Sequence, residues 1–198
     1  MWQTGEIRWW WRGDAPAALE DWVLKGVAPL KDFRTDLYLA DASQTDIGIK
    51  RRAGGTVEVK MLCGLPDISL PAAMDGQAEL WVKADGVALP LTDENTLAVG
   101  KQRRRRILAF EDGGWREESS EDDVEAGVAV EIADIDIDGE RWTTACLEAF
   151  GDDNVSGLLQ AAVTLFGPWP QDMVGPDLVG GYPLWLSQRA KAGEADDV

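Results

Sequence analysis

The 198-residue chain contains no histidine. That excludes histidine general bases, serine–histidine triads and histidine-ligated zinc, so any catalysis rests on carboxylates, Lys, Arg, Tyr or a metal held by oxygen. Cysteine is nearly absent as well. Cys63 and Cys146 are isolated thiols without metal-type spacing, and nothing argues for an oxidising compartment. No stretch approaches the roughly 18 unbroken apolar residues of a spanning helix. Residues Met1 to Glu6 offer neither a basic n-region nor an apolar run, so the expectation is a cytoplasmic protein with no secretion signal and no membrane partner. Cations are scarce in the second half. Residues 107–198 hold 4 Lys/Arg against 21 Asp/Glu, whereas residues 1–106 hold 15 of each, so the whole net charge of −17 arises after residue 106. This argues against double-stranded nucleic acid, whose binding grows with phosphate neutralisation. A small anion enclosed by local cations stays compatible, because local potential governs a cleft.

With 45% hydrophobic residues, the chain can bury one good core. A single domain over residues 1–190 is expected, with a frayed acidic tail over 191–198. Strand signals dominate: Glu6–Trp11, Phe33–Leu39, Ile47–Arg52, Thr56–Leu62, Ala78–Lys83 and Lys101–Phe110, then a long hairpin over Gly127–Phe150. Ala15–Lys25 has helical spacing with Asp14 as N-cap, and Val155–Phe166 is an apolar helix. Pro66–Gly76 and the acidic, Ser-rich stretch Asp112–Ala126 are expected to be connections. Gly180–Leu186 is expected to pack onto the body of the protein through Tyr182 and Trp185.

Two hairpins carry the chemistry. With Ala53-Gly54-Gly55 as a turn, Lys50 lies opposite Glu58 and Ile49 opposite Val59. Side chains alternate along a strand, so Lys50, Arg52, Glu58 and Lys60 share one face. Asp138-Gly139 is a two-residue turn signal that places Ile132 opposite Ala145, Val130 opposite Leu147, Glu131 opposite Cys146 and Ala129 opposite Glu148. One face is then apolar. The other mixes Ala129, Ala133, Cys146 and Phe150 with Glu131 and Glu148, which suits a lined cavity better than open surface. Outward-facing, solvated charge is the alternative for both hairpins, in an unrelated barrel or sandwich.

In order, Asp36-Leu-Tyr-Leu39, Ile47-Gly-Ile-Lys-Arg-Arg52, Val57-Glu-Val-Lys60, Val130-Glu-Ile132 and Trp142 to Phe150 resemble the strand series of the CYTH superfamily, the triphosphate tunnel metalloenzymes. The resemblance covers roughly residues 5–150 and leaves the C-terminal helical segment, 155–190, outside. It implies a mainly β (α+β) fold: an antiparallel eight-stranded tunnel barrel, open at both ends, with a few flanking helices. It implies a site in which Lys50, Arg52, Lys60, Arg103 and Arg105 bind a polyphosphate or organic triphosphate, and Arg8 and Lys83 are added here as further candidate ligand-binding residues. Glu6, Glu131 and Glu148 would hold Mg2+ or Mn2+ and serve a metal-dependent phosphohydrolase.

The match departs from the family's first-strand Glu-x-Glu-x-Lys. Here the strand reads Glu6-Ile-Arg-Trp-Trp10, so Arg8 replaces the second carboxylate and Trp10 the lysine. Arg8 disfavours a cation and favours an anion. The alternative function is therefore a catalytically silent barrel that binds an anion or nucleotide. The ten Trp residues are expected to serve packing before stacking on a ligand.

Overall fold

The computed structural model describes residues 1–198 apart from 40–42, 53–54, 73, 93, 122–123, 152–153 and 197–198, and apart from the side chains of 193–196. The described residues form β1 (Trp2–Arg12), α1 (Ala17–Leu24), β2 (Leu30–Leu39), β3 (Ile47–Arg52), β4 (Val57–Gly64), β5 (Glu79–Val87), β6 (Thr96–Glu111), β7 (Gly114–Glu118), β8 (Gly127–Ile137), β9 (Glu140–Phe150), α2 (Val155–Phe166), β10 (Leu178–Val179) and α3 (Tyr182–Asp196). Eight strands close into an antiparallel barrel in the order β1-β5-β4-β3-β2-β6-β8-β9, with β9 pairing back onto β1. This is the mainly β barrel expected from the sequence. β5 pairs with β1 only over Trp2–Glu6, and β10 takes the same edge at Trp9 and Trp10. No described helix is long and apolar enough to cross a membrane.

Both hairpin registers follow the sequence expectation. Lys50 pairs with Glu58 and Ile49 with Val59. Ala53 and Gly54 of the first turn lie outside the described residues, while the Gly55 amide donates to the Arg52 carbonyl at 2.8 Å. In the second turn Asp138 has φ 52° and Gly139 φ 79°, the two positive values that a type I′ turn demands. Glu131 pairs with Cys146 and Ala129 with Glu148.

Three local expectations are corrected. Helix α1 begins at Ala17 with Pro16 before it and no side-chain cap; Asp14 instead pairs with Arg141 at 2.7 Å. The stretch 112–126 is not all connection. Asp112 (φ 51°) and Gly113 (φ 76°) form a second tight turn of the same kind, and β7 folds back onto the end of β6. Helix α3 runs to Asp196, beyond the Lys191 from which a frayed tail was expected.

Alternation divides the packing into an outer and an inner core. Ile7, Trp9 and Trp11 of β1 point outward, where they meet Val128, Val130, Ile132, Ala145 and Leu147 beneath α1 and α2. Trp10 points inward. It stacks on Trp185 of α3 with centroids 4.3 Å apart and planes 6° from parallel, and its Nε1 donates to the Gly180 carbonyl at 2.7 Å. Tyr182 stacks on Tyr38 at 5.2 Å, and Trp142, Ile135 and Ile137 complete this inner cluster. The entry of α3 needs Gly181, because a Cβ there would lie 2.9 Å from Glu79 Oε2 and 3.0 Å from Glu6 Oε1. The tunnel expected to be open at both ends is thus stoppered at one. The reason is the aromatic packing of Trp10 against Tyr182 and Trp185 of α3.

We expect Trp185→Ala to cost about 3–5 kcal/mol in urea unfolding, since it removes a fully buried ring from this stopper. A loss below about 1 kcal/mol would show that α3 does not seat in the barrel.

Candidate functional site

Above the stopper, the inward residues leave a cavity of about 590 Å³. All ten sequence-expected site residues line it: Glu6 and Arg8 from β1, Lys50 and Arg52 from β3, Lys60 from β4, Lys83 from β5, Arg103 and Arg105 from β6, Glu131 from β8 and Glu148 from β9. Glu58, on the same face of the first hairpin, joins them. The alternate residues of the arginine run, Arg104 and Arg106, face outward to Asp134 and Glu117. The mouth carries Trp2, Phe150 and the half-exposed Arg52, and Tyr182 of α3 forms part of the opposite end.

Nine cations line the cavity, since Arg34 and Lys101 add to Arg8, Lys50, Arg52, Lys60, Lys83, Arg103 and Arg105. Six carboxylates face them: Glu6, Glu58, Asp85, Glu121, Glu131 and Glu148. A chain of net charge −17 therefore gathers nine of its nineteen Lys/Arg side chains around one lumen. In water such charges would be screened; within a partly closed cavity they act on one another at short range.

The carboxylates are engaged by neighbouring cations. Glu6 Oε1 lies 3.1 Å from Lys60 Nζ and 3.9 Å from Arg8 Nε. Glu131 lies 3.3 Å from Arg8 and 3.2 Å from Arg103, and Arg103 also donates to Asp32 at 2.9 Å. Glu58 holds Lys50 at 2.8 Å and Arg52 at 3.0 Å, and Glu148 pairs with Lys83. Deeper in, Asp36 binds Lys101 at 2.8 Å and Arg34 at 3.1 Å, and Lys101 donates to Tyr38 Oη at 2.7 Å.

These contacts set the protonation states. Burial alone would raise Glu131, but Arg8 and then Arg103 hold it at about 2. Burial opposes ionisation of Glu148 too, and Lys83 outweighs it, so Glu148 is held below the usual carboxylate range. Burial depresses Lys50 to about 8 in spite of Glu58. It lowers Lys101 well below its ordinary value against the pull of Asp36.

Lys101, Arg34 and Glu79 are among the residues of this network that were not singled out as site residues from the sequence. Lys101 was legible, because it stands two and four residues before Arg103 and Arg105 on one strand. Arg34 follows the same rule relative to Asp36 and Tyr38. Glu79 gave no signal; it lies beside Glu6 across β1 and β5, and accepts hydrogen bonds from Trp81 Nε1 at 3.1 Å and the Gly181 amide at 3.3 Å. Burial and then the Glu6 charge raise its pKa.

The donor set does not fit a resident divalent cation. Glu6 and Glu131, two of the three expected ligands, both contact Arg8, and Glu148 is taken by Lys83. Among the described residues no three Asp, Glu or Cys side chains converge as a metal-binding group. No protein-family model matches this chain, and no curated protein matches its sequence.

We expect Glu131→Gln to cost on the order of 3 kcal/mol at pH 7, because the carboxylate's depressed pKa is itself a stabilisation that vanishes on removal. The sign is that of a lowered folded-state pKa: the contribution is present above about pH 4.5 and lost as pH falls towards 2. In urea titrations followed by Trp fluorescence, the parent should lose stability across that window more steeply than the variant. Parallel profiles would contradict this account of Glu131.

Proposed function

We propose that the lumen binds a compact polyphosphate anion, tripolyphosphate or an organic triphosphate, in the cytoplasm. The observation that carries this reading is the convergence of nine of the chain's nineteen Lys/Arg side chains on one cavity, in a chain whose net charge is strongly negative. An incoming anion competes with Glu6, Glu58, Glu131 and Glu148 for partners already in place, so the cations are positioned before the ligand arrives and little ordering is required of them. The carboxylates keep the lumen from holding bare buried charge. A volume of about 590 Å³ is that of a small-molecule site, and leaves room for an organic group. The ordered resemblance to the CYTH superfamily points to the same ligand class, and the closed eight-stranded barrel is the fold that it implies.

The second reading, a Mg2+- or Mn2+-dependent triphosphate hydrolase, is favoured by Glu6, Glu131 and Glu148 sharing the lumen with these cations. It is opposed by the contacts of Arg8 with two of them. We therefore propose binding without efficient turnover.

Calorimetry should detect tripolyphosphate binding at low salt, weakening steeply as salt is raised. Phosphate release from tripolyphosphate, with Glu148→Gln as control, should be weak or absent with either metal. Sulfate, which keeps its charge from pH 6 to 10, should bind less tightly as pH rises through about 8, where Lys50 loses its proton. No binding at low salt by the folded protein would overturn the proposal, and robust turnover abolished in the control would establish the hydrolase instead.

A further inference from the structure

Four lysines line the lumen, and three of them are tied down. Lys60 Nζ donates to Glu6 and lies 4.0 Å from the centroid of Trp81. Lys83 Nζ donates to Glu148, and Lys101 Nζ, on a side chain 2% exposed, donates to Tyr38. Lys50 differs. Its Nζ lies 2.8 Å from Glu58 Oε1, and that oxygen is buried whereas the amine is not, so the amine stands on the lumen side of the pair. Its side chain is the most exposed of the four, at 15%. Glu58 is also shared, because Arg52 takes its other oxygen at 3.0 Å. The groups around the amine are Glu58 and Lys60 of β4, Arg52 of its own strand, Asp36 and Tyr38 of β2, and Lys83 of β5. Cations beside a lysine disfavour its protonation, as burial does, and both make the amine nucleophilic. Burial lowers the pKa of Lys50 to about 8; Arg52 and Lys83 add to the effect, while Glu58 and Asp36 oppose it. Near pH 7.5 roughly a quarter of Lys50 is then free amine, against about one in a thousand for an ordinary lysine.

We propose that Lys50 is a nucleophile that captures a phosphorylated aldehyde in the lumen as a covalent imine. The inference rests on the lumen being an anion site, since the cations hold the phosphate while the carbonyl meets the amine. The nitrogen lone pair attacks the carbonyl carbon to give a carbinolamine. The amine's two protons then leave with the carbonyl oxygen as water while the C=N bond forms, so no oxidant or reductant is consumed. The imine takes a proton from solvent and, as a cation, replaces the ammonium beside Glu58. Arg52, two residues further along β3, stands at the mouth, so the amine is within reach of an entering ligand. A sugar phosphate and a phosphorylated pyridine aldehyde share this chemistry.

Glyceraldehyde 3-phosphate and pyridoxal 5′-phosphate are the two probes, each trapped on the full chain with borohydride and mapped by peptide mass spectrometry. Lys50 should be the principal labelled lysine with at least one of them, and which one separates the two sources. Pyridoxal, which lacks the phosphate, should label Lys50 roughly tenfold less than its phosphate ester, the usual effect of losing a hydrogen bond to a charged group. Labelling should level off above about pH 8 rather than climb into the usual lysine range, and Lys50→Arg, which keeps the charge, should remove the label. Label spread evenly over surface lysines, or equal labelling of Lys50 by pyridoxal, would overturn the proposal. If calorimetry shows tripolyphosphate binding and both probes leave Lys50 unlabelled, this inference falls while the anion site stands. If tripolyphosphate is not bound either, both fall.

Discussion

An eight-stranded barrel is wide enough inside for side chains to fill, and every inward residue must find its partner there. This constraint governs the protein. Where the inward residues are aromatic or aliphatic, as at Trp10, Tyr38, Ile135, Ile137 and Trp142, the interior is packed and α3 adds Tyr182 and Trp185 to complete it. Where they are charged, packing gives way to ion pairs, and the geometry of Lys and Arg side chains leaves space between them. The cavity is therefore the charged part of one continuous barrel interior, bounded on one side by the packed part. Its depth is set by the position along β1 at which Arg8 gives way to Trp10.

Burying so many charges is costly unless each is compensated, and the pairing pattern shows how the cost is contained. Single carboxylates serve two cations, as Glu58 does for Lys50 and Arg52, and Asp36 for Lys101 and Arg34. Sharing holds the cationic side chains in place around the lumen, so an anion that entered would meet donors already positioned. The net charge of −17 has a separate consequence: it repels anions at long range, so any selection of an anion by the lumen is local. Glu79 and Glu6, side by side beneath the Gly181 backbone, connect the charged network to the seat of α3.

Much of this was legible in the chain because strand alternation is strict. Once Asp138-Gly139 fixes one turn, the facing of Glu131 and Glu148 follows by counting, and the same counting from the Gly54 region places Lys50, Arg52, Glu58 and Lys60 together. Within Arg103–Arg106 the same rule separates the lumen-facing residues from those that pair outside. What was missed depends on other kinds of information. β7 was hidden because its five residues sit in acidic, Ser-rich surroundings, even though Asp112-Gly113 is the same turn signal as Asp138-Gly139. The α1 cap was misassigned because the helix begins only at Ala17, with Pro16 in the cap position, which leaves Asp14 outside it. The stopper could not be read locally at all, since it joins Trp10 to Trp185 across nearly the whole sequence.

The central proposal is that the cations gathered around the lumen bind a small anion there, and a crystal of the protein soaked in tungstate tests it most directly. Tungstate is a compact oxyanion whose metal is located by anomalous scattering, so the site is read without prior assumptions about the ligand. The account predicts tungstate density inside the barrel, among Lys50, Lys60, Lys83, Arg8 and Arg103, with some carboxylate–cation pairs opened to admit it. Tungstate bound only on the outer surface, with every lumen ion pair intact, would contradict it.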